Sequence, residues 1–314
     1  MGQHDTVPCV MPCTVQNLCV RNCAYVFFAH RRATGATLSV MATVRQRRLG
    51  RDLARFRERA GLSQEQAAEQ LGWSRPKVGR IEAAKTMPKI ADVEALLGLY
   101  GADSAEAALL VRLAKDAQQR GWWTAFNDVF TGSFVGLEDE AAEIRTWETQ
   151  FVPGLLQTEA YARAVISAAR PDSPESVHRR VQARMARRTL LGRDNAPKLH
   201  AVIDESVLRR AIGGPEVMNA QFARLAAMTK QPNITLQVLP FAAGAHAGLE
   251  GPFVLLSFSD PADPDIPYIE SQGGDVYLEA ADQVARIRLV WERIVAAAAS
   301  PEESLAIITD LTEE

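Results

Sequence analysis

The residues best suited to chemistry of their own stand close together. Gln64, Ser74, Arg75, Lys77, Arg80 and Lys85 place one amide, one hydroxyl and four cations within twenty-two positions. None of these stands in a nucleophile elbow. Such a set can donate hydrogen bonds to anions and to the edges of bases: an Arg guanidinium pairs bidentately with O6 and N7 of guanine, and Lys, Ser and Gln reach phosphate oxygens. The chemistry implied is recognition of double-stranded DNA.

Other combinations carry less. His246 and Glu250, in GAHAGLEGP, stand in a glycine-rich loop where a base or a metal pair could be presented. No third ligand follows at an obvious spacing, no G-x-S-x-G elbow occurs, and no phosphate loop is found. We therefore expect no catalysis, no cofactor and no metal. The glycine pairs at Gly213 and Gly273 lack a dinucleotide fingerprint and read as turns. Cys9, Cys13, Cys19 and Cys23 follow a C-x3-C-x5-C-x3-C spacing, which invites a zinc reading, although structural zinc sites favour C-x2-C knuckles. The alternative is that residues 1–40 are a disordered extension, with Met41 the more natural start. The aromatic group Trp122, Trp123, Trp147, Phe151 and Tyr161 reads first as core. Its alternative is a groove that, with Glu148 and Gln157, admits a partner peptide or a small effector. Arg179, Arg180, Arg184, Arg187 and Arg188 read as a solvated helix face or as partners of the acidic run at 138–143.

Composition sets the frame for these sites. The chain has 314 residues, 47% apolar and 23% charged, which is room for two soluble domains. It has no apolar run long enough to span a bilayer and no secretory signal in its first forty residues, so a cytoplasmic location is expected. The net charge of -3 is unevenly spread. Residues 41–90 hold twelve Lys or Arg against five acids, a surplus of +7, whereas residues 91–314 carry -12. A basic module is attached to an acidic body, and the basic part predicts a polyanionic partner.

The elements that must position the cations are legible locally. Leu53, Phe56 and Ala60 recur at helical spacing, and Gly61 ends that helix. Ser63 with Gln66 forms a capping box that opens a second helix at about Gln64 to Leu71. Gly72 permits a tight turn, Ser74 caps a third helix, and Pro76 is tolerated in its first turn. Ala67, Ala68, Leu71, Val78 and Ile81 form the inner face, leaving Arg75, Lys77 and Arg80 outward with Gly79 between them. This unit resembles the helix-turn-helix of phage-repressor-like (XRE) regulators over about residues 50–101. By that resemblance Gln64 and Lys85 touch phosphates, Arg75 and Arg80 read bases, and Lys77 does either. The domain is expected to span 41–101, with 102–314 a separate regulatory, partner-binding domain.

That second region is expected to be α+β, with a small, largely antiparallel sheet. Helices are predicted at 104–119, 138–147, 158–169, 174–190, 216–229 and 281–298, and strands at LHAVID, ITLQVLP, PFVLLSF and DVYLEA. The segments RGWWTAF, GLEDEAAEIRTWETQFVPGLLQTEAYARAV, AVIDESVLRRAIGGPEVM, NITLQVLPFAAGAHAGLEGPFVLLSF and SPEESLAIITDL are similar to those of the WhiJ-like and Scr-type antitoxin-like regulators of actinomycetes. That resemblance implies a transcription regulator whose C-terminal domain binds a small protein partner encoded nearby. Because one helix-turn-helix reads few bases, a homodimer on an imperfect inverted repeat is expected.

Overall fold

The computed structural model describes residues 42–118, 121–130, 132–169, 173–271 and 274–311. The four cysteines and the extension at 1–40 lie outside the described residues. Two bodies of secondary structure follow one another, an all-helical one and an α+β one.

The helical body contains α1 (Val44–Arg59), α2 (Gln64–Leu71), α3 (Arg75–Glu82), α4 (Ile90–Leu99) and α5 (Ser104–Gln118). Its core joins Leu49, Leu53 and Phe56 of α1, Ala67 of α2, Ile81 of α3, Val93, Leu96 and Leu97 of α4, and Leu110 and Ala114 of α5. α5 therefore packs with the helix-turn-helix, although its sequence lies in the stretch expected to belong to the second domain. The local signals act as their chemistry dictates. The Ser63 hydroxyl accepts from the Gln66 amide at 3.2 Å while the Gln66 side chain accepts from the Ser63 amide at 2.8 Å. Gly72 adopts φ 65° and ends α2 in the left-handed region that glycine enters freely.

The second body is built on a six-stranded sheet in the order β3-β2-β1-β4-β5-β6. Its strands are β1 (Glu143–Glu148), β2 (Lys198–Asp204), β3 (Ile234–Leu239), β4 (Phe253–Ser257), β5 (Ile266–Ser271) and β6 (Gly274–Tyr277). The α+β class is as expected, but the sheet is mixed. β1, β2 and β3 run parallel, whereas β4, β5 and β6 form an antiparallel meander joined to β1. Parallel neighbours need long crossovers. These are supplied by α7 (Glu159–Ala169) and α8 (Pro174–Arg187) between β1 and β2, and by α9 (Glu205–Arg209) and α10 (Pro215–Met228) between β2 and β3. The helix expected at 138–147 is replaced by α6 (Phe134–Glu140) followed by β1. In EIRTWE the β-branched Ile144 and Thr146 and the aromatic Trp147 favour a pleated, two-sided environment over a helix.

Alternation decides which side each strand residue faces. Leu199, Ala201 and Ile203 of β2 enter the larger core with Ile144, Leu236 and Leu256, which also takes in Leu225 of α10. Ile308 of α12 (Pro301–Asp310) joins the same core. Val202, between them, faces the other side with Trp147 and Phe253, where α11 (Ala281–Ala297) covers the sheet through Trp291 and Ile294.

α1 joins the two bodies. Val44 lies in the larger core of the second, and the Glu140 carboxylate accepts from the Val44 and Arg45 amides at 2.7 and 3.3 Å, capping α1 from α6. Arg48 pairs with Asp260 at 2.6 Å and Arg51 with Asp263 at 2.8 Å. Arg47 lies 3.6 Å from Glu279.

Candidate nucleic-acid interface and an adjoining cavity

α3 presents its two faces as the helix-turn-helix requires. Val78 and Ile81 are buried, while Arg75, Arg80 and Lys85 are exposed. Arg75 is paired with Glu65 of α2, but both side chains remain more than 60% exposed, so that pair is weak and easily exchanged for another anion. Among the described residues, Arg80 and Lys85 have no ion-pair partner. Lys77 is differently placed. Its ammonium pairs with Asp92 of α4 at 2.8 Å and lies 3.5 Å from the centre of the Trp73 ring, which ties it back to the protein. Ser74 stands at the N-cap position of α3, but its hydroxyl makes no capping bond.

Gln64 has a part in shaping the surface as well as facing it. Its amide donates to Glu82 at 2.8 Å, and the same carboxylate accepts from Arg57 Nε at 2.7 Å and Nη2 at 3.0 Å. The Glu82 side chain is only 6% exposed, so this three-residue network fixes α1, α2 and α3 relative to one another in a site where charge-assisted bonds are strong. The bond to Glu82 raises the Arg57 guanidinium further above its usual range. Gly79 leaves room for the Gln64 side chain: a Cβ there would come within 3.3 Å of its oxygen. After α3 the chain turns through Ala84 at φ 53°, and the Lys85 amide returns to the Arg80 carbonyl at 2.8 Å. That turn sets Lys85 at the end of the recognition helix.

The aromatic group does not form one groove. Trp147 and Tyr161 are fully buried. Trp147 Nε1 donates to the Gly248 carbonyl at 3.0 Å, and the Tyr161 hydroxyl accepts from the Val152 amide at 3.2 Å. Trp122 meets Trp123, Phe126 and Phe130 edge to face and donates to Asp139 at 3.0 Å. Trp123 packs against Gly136. Gln157 is buried, donating to the Val152 carbonyl at 2.7 Å and accepting from Arg184 at 2.9 Å.

Glu148 and Phe151 of that group line a cavity. It has a volume of about 400 Å³ and is walled by Phe130, Phe134, Val165, Ile166 and Tyr268, with Arg180, Arg184, Arg187, Glu270 and Asp275 as its charged members. Arg187 is held bidentately by Glu138 of α6, whose side chain is 2% exposed. Glu148 accepts from the Thr146 hydroxyl at 3.2 Å. Burial pushes its carboxyl up to about 8 and brings the Arg184 guanidinium down to about 10. Of the arginines read as a solvated face or as partners of the acidic run at 138–143, Arg180, Arg184 and Arg187 line the cavity, Arg187 pairs with Glu138 of that run, and Arg179 pairs with Asp128 at 3.1 Å. His246 is occupied structurally, whereas Glu250 sits in an exposed and weak pair. The His246 ring packs on Trp147 and accepts from the Gly248 amide at 3.2 Å, and Glu250 pairs with Arg286 at 3.0 Å. The Arg57 to Glu82 network was not anticipated from the sequence, its one signal being an acid, Glu82, closing an otherwise basic helix; of the groove read from the sequence, Glu148 and Phe151 line the cavity.

An exposed recognition helix on a buried all-helical core defines a DNA-binding protein of the helix-turn-helix class, and an α+β body follows it. Residues 48–110 match the family model described as Helix-turn-helix domain. Residues 131–310, more than half of the chain, match the one described as Domain of unknown function (DUF5753), and the chain belongs to that family. No curated protein and no solved structure matches it. No helix among the described residues is long and apolar enough to cross a membrane.

Proposed function

We propose that the protein is a sequence-specific transcriptional regulator that binds DNA as a homodimer through α3, with its C-terminal domain as the part that receives a signal. The observation that carries this reading is the outward display of Arg75, Arg80 and Lys85 over a buried network that holds the three helices rigidly. Arg75 and Arg80 read bases, Lys85 and Gln64 meet phosphates, and Lys77 contributes as a fixed positive charge. The operator is an imperfect inverted repeat with half-sites about 34 Å apart. The cytoplasmic location and the absence of catalysis belong to the same reading. Following the resemblance to WhiJ-like and Scr-type antitoxin-like regulators, the signal is a small protein encoded nearby.

A second reading, control by a small molecule, is favoured by the cavity beside Glu148 and Arg184. Selection of bound duplexes from a random pool tests the DNA assignment. Recovery of an inverted repeat bound by a dimer in sedimentation is the expected result; a monomer that enriches no motif overturns it.

A further inference from the structure

The cavity between β1, β5, α7 and α8 contains a cation and a carboxyl whose charges are not paired among the described residues. Arg184 gives one Nη1 bond to the neutral amide of Gln157, and Glu148 receives one bond from Thr146. Among the described residues neither has an ion-pair partner, and although they line the same space they do not pair with each other. Arg187 and Asp275, on the same wall, differ in this. Arg187 is clamped by Glu138, and Asp275 accepts from the Tyr268 hydroxyl at 2.9 Å. A buried cation and a buried carboxyl left apart are costly, and a chain that keeps both in one cavity holds them for something that brings the opposite charges.

The lining narrows what that is. The three Arg residues are matched by Glu148, Glu270 and Asp275, so the cavity favours neither a bare anion nor a bare cation. Phe130, Phe134, Phe151, Val165 and Ile166 supply an apolar wall. A volume of about 400 Å³ falls at the small end of ligand pockets, which run from roughly 300 to 1,000 Å³. We infer that this cavity binds a small zwitterion with an apolar side chain, of the hydrophobic amino acid or dipeptide class, its carboxylate on Arg184 and its ammonium on Glu148. The inference rests on the reading of the C-terminal domain as the signal-receiving part, under its small-molecule alternative. It names the class of signal.

The groups facing Glu148 are Glu270 from β5, Arg184 and Arg187 from α8, and Thr146 from its own strand. An incoming ammonium needs Glu148 ionised, whereas the empty site holds it near 8. Affinity should therefore rise about tenfold per pH unit up to that value and then level off, with proton release on binding below it.

The test uses the full chain and thermal unfolding with L-phenylalanine, L-leucine and leucyl-phenylalanine, each at 10 mM as about the highest practical concentration. At least one should raise the midpoint, and its N-acetyl and carboxamide derivatives, each lacking one charge, should not. Arg184→Gln should abolish the response while keeping the affinity for the selected duplex, which shows that it is folded. No response to any of the three, or an equal response to the singly charged derivatives, overturns the inference. Duplex binding is read separately, so loss of the ligand assignment leaves the DNA assignment standing, and the reverse.

Discussion

Gly50 stands inside α1, where Ala is preferred to Gly by about 1 kcal/mol on helix propensity alone. A Cβ at this position would lie 2.5 Å from the Glu82 carbonyl oxygen and 2.8 Å from that of Ile81. Both are backbone atoms at the end of α3, and neither can swing aside as the tip of a long side chain can. Overpacking costs about 1–3 kcal/mol, and two backbone contacts this short place Gly50→Ala at the upper end of that range. After the propensity gain, a loss of about 2 kcal/mol remains. Gly98 is the control. It is exposed near the end of α4 with nothing within 4 Å of its Cβ position, so Gly98→Ala should gain roughly 0.5–1 kcal/mol. Urea unfolding of both variants should place them about 3 kcal/mol apart, on either side of the parent. Gly50→Ala should also bind its operator less tightly, because the end of the recognition helix has moved, while Gly98→Ala keeps its affinity. Equal stability of the two variants would refute the close crossing of α1 and α3.

Lys85→Ala should weaken binding to cognate and scrambled duplexes alike and reduce the salt slope by about one unit, whereas Arg80→Ala should lose selectivity of about 1–3 kcal/mol; titrations at several salt concentrations separate the two. Arg187→Met leaves the carboxylate of Glu138 buried without its partner and should cost about 3–5 kcal/mol, while Arg184→Gln, which breaks no ion pair, should be tolerated; chemical unfolding compares them. Glu148 binds a proton more tightly folded than unfolded, since burial raises its carboxyl to about 8. Its contribution to stability is fully present below the usual carboxylate range and is lost as the pH climbs to about 8. Glu148→Gln should therefore match the parent at pH 4 and melt higher at pH 8, and an unchanged difference across that range would remove the cause assigned to the shift.

The recognition unit was legible because its signals are short-range. A capping box, a left-handed glycine and an apolar triad lie within a few residues of the groups they organise, and α2 and α3 occupy the positions those residues predict. The second body was less legible where meaning depends on distant partners. EIRTWE became the centre of the sheet because β2 and β4 flank it, and Pro267 concealed β5 because proline argues against a strand with two neighbours. Charge was the least reliable guide. The surplus at 41–90 points to phosphate, yet Arg47, Arg48 and Arg51 pair with Glu279, Asp260 and Asp263 of the second body. Part of the acidity of that body is therefore a counter-charge for α1, a relationship that no local window can show.

α6 relates the cavity to the recognition unit. In seven residues it lines the cavity with Phe134 and Val135, holds Arg187 through Glu138, and caps α1 through Glu140. α1 in turn carries Gly50 against the last carbonyls of α3. Packed cores pass displacements on because they have few empty volumes to absorb them, so a zwitterion that drew Arg184 or Arg187 toward itself would move α6 and with it the cap of α1. Contiguity alone does not establish coupling; a change in equilibrium on both sides does. The variant that separates them is Glu140→Gln, which keeps the shape of the cap but gives up its charge to Arg45, 3.5 Å away. Ligand affinity of the DNA-free variant should be unaltered, while the ligand-dependent change in operator affinity shrinks, and with it the operator-dependent change in ligand affinity. If the change in operator affinity is the same with and without the Glu140 charge, the signal does not travel through the α1 cap, and the contacts of Arg48 and Arg51 with the loop after β4 become the route to test.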